Sequence, residues 1–304
     1  MAARTGLAGS FGLKAEVTYG VYTTVDEWIP IISEGITREE AHTISRAIRA
    51  GRTVLTSDQW NGGVIDVGGP IAMELNNKNI RTLFKAMFGI ETGSSPYTYT
   101  PVDNTQSLTL QVGRPGIAGT VHPFTYTGAK VASWEIAAEV GETVSLTVEV
   151  IAQAEATSYA LTSPSYTASM LPYKFTGATL SIAGSAVNTV RSMSLSGDNM
   201  MARRNFLGSQ TTAEPFAAGL YEYTGTVTTD FESLTAYSRF VTGTEAALVM
   251  TFTRGSSTVV VTTNVKFNGT TPNIADSEVL AQELPFMCVA SSTDASAITV
   301  VYTP

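Results

Sequence analysis

The sequence predicts a β-rich globular protein of antiparallel sheets, with an amphipathic helix packed on a sheet and the pattern used twice along the chain. Thr supplies roughly one residue in seven, a β-branched excess that suits a pleated, half-buried surface. Hydrophobic residues make up 43% of the chain and charged residues only 14%, a balance foreign to disordered segments and coiled coils. Several stretches alternate apolar with polar residues, the period of a strand with one face on a core.

Taken in order, residues 1–20 read as an N-terminal arm. Met1 to Lys14 has no apolar segment of a leader, and Gly6, Gly9 and Gly12 have neither a preceding strand nor a lysine, so they read as a flexible stretch rather than a phosphate cradle. Thr37 opens a helix candidate, with Glu40 as the partner of a capping box, Ile44, Ala47 and Ile48 behind it and an end near Gly51. The clearest helix is Asn76 to Phe88, where Ile80, Leu83, Phe84, Met87 and Phe88 share one face and Gly89 supplies a stop. Alternation places strands at Ser107 to Val112, Val144 to Val150, Thr179 to Ala183 and Tyr221 to Phe231. Leu284 to Val289 reads as a buried strand; it carries the single cysteine, Cys288, whose expected role is a small core hydrophobe. No stretch approaches the ~20 apolar residues of a membrane-spanning helix, and no membrane partner is expected.

Sliding the chain against itself gives an ordered internal match. Gly69 to Leu75 and the helix through Phe84 align without gaps on Gly225 to Phe231 and the segment through Phe240, pairing Glu74 with Asp230. Lys130-Val131 through Glu142 to Val150 aligns, again without a gap, on Lys266-Phe267 through Glu278 to Phe286. Between them, Gln153 to Pro172 is rich in Ala, Ser, Thr and Pro, as a linker is. The expected organisation is an arm (1–20), a first β unit (21–152), a linker (153–172) and a second β unit (173–304).

No catalytic constellation emerges. His42 and His122 are the only histidines and neither has a carboxylate or cysteine at metal-ligand spacing, so no metal, cofactor or catalytic residue is expected, and an enzyme is not. Glu135 with Glu139, or Asp276 with Glu278, are the carboxylate pairs a glycoside hydrolase would need; solvated surface is the expected role. Asn268-Gly269-Thr270 reads as a turn. The formal net charge is -8, which disfavours a tight grip on phosphates. The layout says more than the sum: Val131 to Tyr173 and Phe267 to Pro304 contain carboxylates but no Lys or Arg, whereas basic residues gather at Arg46, Arg49 and Arg52 and at Arg203 and Arg204. Such separation suits a subunit whose basic loop meets an acidic face on a neighbour.

Gly12 to Gly20, Ser45 to Arg52 leading to Trp60, Leu83 to Gly89, Ser107 to Pro115 and Gly119 to Gly128 form a collinear series that resembles the tail tube (major tail) proteins of long, non-contractile tailed bacteriophages. The resemblance implies a tube-type antiparallel β-sandwich or half-barrel with a flanking α-helix. It also implies rings of sixfold or pseudo-sixfold symmetry, stacked into a hollow tube through which genomic DNA passes, in a virion synthesised in the host cytoplasm. Expected partners are the protein itself and other tail proteins (terminator, tape measure and distal tail), with DNA passing unbound. A repelling bore would be lined from Glu135, Glu139, Glu142, Glu149, Asp276, Glu278 and Glu283, of which strand alternation lets only about half face inward. Arg46, Arg49, Arg52, Arg203 and Arg204 are candidates for contacts between rings. Two units per chain imply a ring of three chains, against a competing hexamer with an elaborated outer lobe. The alternative from another class is a carbohydrate-binding or adhesin β-sandwich with Trp28, Trp60 or Trp134 as sugar platforms.

Overall fold

The computed structural model describes residues 5–269, 271, 279–291, 294 and 296–304. In the first half, β1 (Ser10–Ala15), β2 (Glu27–Trp28), β3 (Ile31–Glu34), β4 (Thr37–Glu40), a two-stranded excursion of β5 (Thr43–Ile44) and β6 (Trp60–Asn61), and β7 (Ile65–Glu74) precede helix α1 (Arg81–Phe88). They are followed by β8 (Gly89–Thr92), β9 (Tyr97–Pro101), β10 (Leu108–Pro115), β11 (Val121–Glu139), β12 (Ser145–Ala152) and β13 (Ala154–Ala156). The second half runs β14 (Ala178–Ile182), β15 (Ser185–Val187), β16 (Val190–Asp198), an excursion of β17 (Met201–Arg204) and β18 (Ala213–Ala217), and β19 (Glu222–Asp230), then α2 (Thr235–Thr242). It ends with β20 (Ala246–Arg254), β21 (Ser257–Phe267), β22 (Ala281–Val289) and β23 (Ile298–Thr303).

The long strand β11 belongs to two sheets. Up to Ala129 it pairs with β10, which pairs in turn with β1; from Lys130 it pairs with β12, and β12 with β7. A register shift between Val131 and Ser133 marks the handover, as a bulge does where a strand bends. β21 is used the same way, along β20 and then, from Asn264, along β22. Registers recur as well. Ser145 lies opposite Glu74 and Val150 opposite Gly69, while Ala281 lies opposite Asp230 and Phe286 opposite Gly225. Lys130 lies opposite Ile151, and Lys266 opposite Met287. These residues are the ones the gap-free alignments bring into correspondence.

One apolar core runs through both halves. Helix α1 supplies its centre because Leu83, Phe84, Met87 and Phe88 fall on one face at helical spacing and are all buried. Phe84 meets Tyr99 and Tyr302 edge-on at 5.6 and 6.2 Å, and Phe88 meets Trp134 at 5.0 Å, the geometry aromatic rings prefer. Cys288 is buried on β22 as expected, and burial pushes its thiol up to about 11.

Three expectations are corrected. The helix expected from Asn76 starts at Arg81, because Asn79 takes φ 58° and the Asn77 carbonyl accepts a hydrogen bond from Tyr302 Oη at 2.8 Å. The helix expected from Thr37 is absent. Thr37–Glu40 is an edge strand on β7, and Ile48 is 99% exposed, so the apolar spacing that suggested a helix has nothing to pack on. Of the stretch read as a flexible arm, Ser10–Ala15 is a paired strand with Phe11 and Leu13 buried. The linker lies along the first half: Gln111 Nε2 donates to the Ala160 carbonyl at 3.0 Å and Gln111 Oε1 accepts the Thr162 N–H at 2.9 Å, while Tyr159 stacks on Tyr22 at 3.8 Å.

Candidate assembly surfaces

An uninterrupted antiparallel run joins the halves, in the order β21, β22, β19, β16, β11, β12, β7 and then the β3–β4 edge. Alternation gives the run a buried face and an opposite, polar one. On the polar face Glu149 stands beside Ser133, Ser133 beside Asp198 and Asp198 beside Glu222; in the next row Thr147, Glu135, Ser196 and Thr224 follow one another. Glu139 and Glu283 occupy the same face, and both are exposed, as Glu135 is. No Lys or Arg stands on this face of β12, β19 or β22, nor on β11 beyond Ser133; on β16, Arg191 is exposed at the register shift and pairs with Asp230 of β19 at 2.6 Å. Partial burial raises the Glu149 carboxyl above the usual range. Glu142 lies in the β11–β12 turn, exposed. Asp276 and Glu278 lie outside the described residues.

The joint between the halves is the pairing of β11 with β16, from Ser133 opposite Asp198 to Glu139 opposite Ser192. On its buried side Gly197 faces Trp134, and a Cβ at Gly197 would stand 2.4 Å from the indole ring. At its end, Asn199 donates its N–H to the Ala132 carbonyl at 2.8 Å and its amide to the carbonyls of Met87 and Val131, both at 3.0 Å. Lys130 is 1% exposed, covered by the β17–β18 excursion; its ammonium lies 2.7 Å from the Glu214 carboxylate and also donates to Asn104. Burial works to raise the Glu214 carboxyl, but the Lys130 bond and charge outweigh it and leave it below the usual range. Sequence reasoning passed over this pair, although the alignment of Lys130 with Lys266 pointed to the position.

The two excursions occupy matching places, between β4 and β7 and between β16 and β19. The first is organised around Gln59, whose buried amide donates to the carbonyls of Ser45 and Ala47 at 3.0 and 3.3 Å. Arg49 pairs with Asp58 at 2.6 Å, whereas Arg46 and Arg52 are exposed and make no ion pair among the described residues. Arg203 and Arg204 are both engaged within the chain: Arg203 ties the second excursion to β7 by donating to the Val67 carbonyl at 2.7 Å, and Arg204 donates to the Glu214 carbonyl at 2.8 Å and lies over the Phe216 ring. Of the three tryptophans, Trp28 and Trp134 are buried and only Trp60 is exposed, tilted against His42, which removes two of the three sugar platforms.

A sheet run with a β3–β4 edge unpaired among the described residues, a polar face that carries carboxylates, and arginine-bearing excursions has the parts of a structural subunit. The family model described as phage tail tube protein matches residues 6–288, and the chain belongs to that family. Its place is the virion tail, where it assembles with itself and with other tail proteins. A search of curated proteins returns no match.

Proposed function

We propose that three chains close into a ring of six β units, that rings stack into the tail tube, and that DNA passes along a bore lined by the polar face of the β21-to-β4 run. The observation that carries this reading is the joint itself: β16 meets β11 inside one chain, and the β3–β4 edge at one end of the run has no strand beside it among the described residues. Recurring registers in the two halves support a duplicated unit, and a fused pair replaces two subunits without altering the rotation that closes a ring. Glu135, Glu139, Glu149 and Glu283 give the bore its charge, with Glu142 at its rim. Carboxylates repel the phosphate backbone, so DNA slides without phosphate contacts to break.

Ring stacking falls to the β5–β6 excursion, where Arg46 and Arg52 are free to meet carboxylates of the next ring. The remaining tail partners, terminator, tape measure and distal tail protein, meet the ends and the bore of the tube. Electron microscopy of the concentrated protein tests the reading: hollow tubes of uniform diameter are expected. The Arg46→Glu, Arg49→Glu, Arg52→Glu variant is expected to remain folded and give few or no tubes. Normal tubes from it would remove the loop from stacking, and a monomer that binds glycans and never polymerises would favour the adhesin reading.

A further inference from the structure

We propose that the chain cross-links itself: the Lys130 amine displaces ammonia from the Asn104 carboxamide to form an isopeptide bond, and Glu214 moves the protons. The inference concerns the single chain and stands apart from the ring reading.

Three side chains from three segments meet under the β17–β18 excursion. Lys130 stands on β11 where it enters the second sheet, Asn104 in the loop between β9 and β10, and Glu214 on β18. Lys130 Nζ is in direct contact with Asn104 Oδ1 and lies 2.7 Å from Glu214 Oε1. The Asn104 amide also bonds to the Glu214 carboxylate, so one carboxylate touches both the attacking nitrogen and the leaving one. The surroundings hold this arrangement. The Tyr19 ring centre lies 5.9 Å from Nζ, on a turn pinned by the buried Glu16, whose carboxylate accepts the Gly20 N–H at 2.9 Å, the Thr109 hydroxyl at 3.0 Å and the Gly128 N–H at 2.8 Å. The Asn104 loop is pinned on both sides, by Tyr221 Oη donating to the Val102 carbonyl at 2.7 Å and Gln106 Nε2 donating to the Glu16 carbonyl at 2.6 Å. Lys266, at the aligned position of the second half, is exposed and makes no ion pair among the described residues.

Such an arrangement supplies what amide exchange needs. A carboxamide is a poor electrophile, and fixing the nucleophile against it replaces a slow encounter by a reaction within one molecule. Attack requires the neutral amine, which the pair reaches by passing one proton from Lys130 to Glu214, a transfer favoured where the amine is shut away from water. Nζ then adds to the Asn104 side-chain carbonyl carbon. Glu214 gives its proton to Nδ2 and takes one from Nζ, the C–Nδ2 bond breaks, and ammonia leaves. It departs as ammonium with the proton from Glu214, so the charge that Lys130 carried goes with it and the carboxylate is restored. Asn104 is exposed, which opens the way out to solvent. The bond joins residues 26 positions apart and fastens the β9–β10 loop to β11. With Cys288 as its single cysteine, the chain has no internal disulfide to serve that end.

Mass spectrometry of the purified, folded full chain tests the bond. The intact chain is expected to be lighter than its sequence by one ammonia. Chymotrypsin cuts the denatured chain after Phe124 and Tyr126, between the two residues, and is expected to leave the Asn104 and Lys130 peptides joined. Lys130→Arg and Asn104→Ala are each expected to show the full sequence mass and separate peptides, as is Glu214→Gln, which keeps hydrogen-bonding capacity but cannot shuttle the proton. Asn104 is exposed and outside any strand, so its replacement carries the test even if a change at buried Lys130 impairs folding. Lys266→Arg is expected to keep the loss. A wild-type chain at its full sequence mass would overturn the proposal. So would a loss that survives Lys130→Arg, which would then come from ring closure at Asn61-Gly62 or Asn268-Gly269. Undiminished cross-linking in Glu214→Gln would overturn the part given to Glu214.

Discussion

Gly197→Val lowers the stability of the chain by about 3 kcal/mol, the upper range for overpacking a tight core, and is expected to reduce Tm by roughly 5–10 °C. The cause is local. A Cβ there falls 2.4 Å from the Trp134 ring, and the indole is held between Phe88 at 5.0 Å and Tyr223 at 6.0 Å, so it has little room to withdraw. Because Gly197 is on β16 and Trp134 on β11, the added methyls force apart the two halves of the chain rather than strain one of them. Ser196→Ala, one residue away on the polar face, is expected to leave Tm unchanged. Thermal unfolding followed by circular dichroism checks both, and equal melting of the two variants would show that the joint does not depend on this contact.

Phe84→Ala is expected to cost about 3–5 kcal/mol, the range for truncating a fully buried aromatic. Its ring is inaccessible to solvent and sits among Phe88, Tyr99 and Tyr302, drawn from both halves. Phe240→Ala, at the aligned position of the second half, is expected to cost about 1 kcal/mol, since its ring is only half-buried and less apolar area returns to water. Denaturant unfolding of the two variants measures the difference. Losses of similar size would mean that α2 anchors its half as firmly as α1 does.

The strands were legible where one face is buried and the other solvated. Ser145–Ala152 alternates without exception and Glu222–Asp230 does so except at Gly225, and their limits fall within a residue or two of those read from the pattern. The α1 face was legible for the same reason, although its start was not, because Asn77 and Asn79, before Ile80, bond to chain segments far away in sequence. Thr37 to Gly51 misled because helical spacing was present without a surface to bury it, and a bare β7 edge took Thr37–Glu40 instead. Alternation said only that about half of the acidic candidates share a face; which ones do became visible with the strand registers, which put Glu135, Glu139, Glu149 and Glu283 on one side and leave Glu142 in a turn. What could not be read was the pairing of β11 with β16: it depends on a contact between distant segments, and neither Gly197 nor Lys130 announces a partner. The internal alignment nevertheless held the clue, since it placed Lys130 on Lys266.

A cryo-electron microscopy map of the assembled tube, at a resolution that traces strands, tests the central claim most directly. Three chains per ring are expected, with the β21-to-β4 run of each continuing into the next as one wall and Glu135, Glu149 and Glu283 facing the bore. Six chains per ring, or a bore formed by any other face with these carboxylates on the outside, would contradict it.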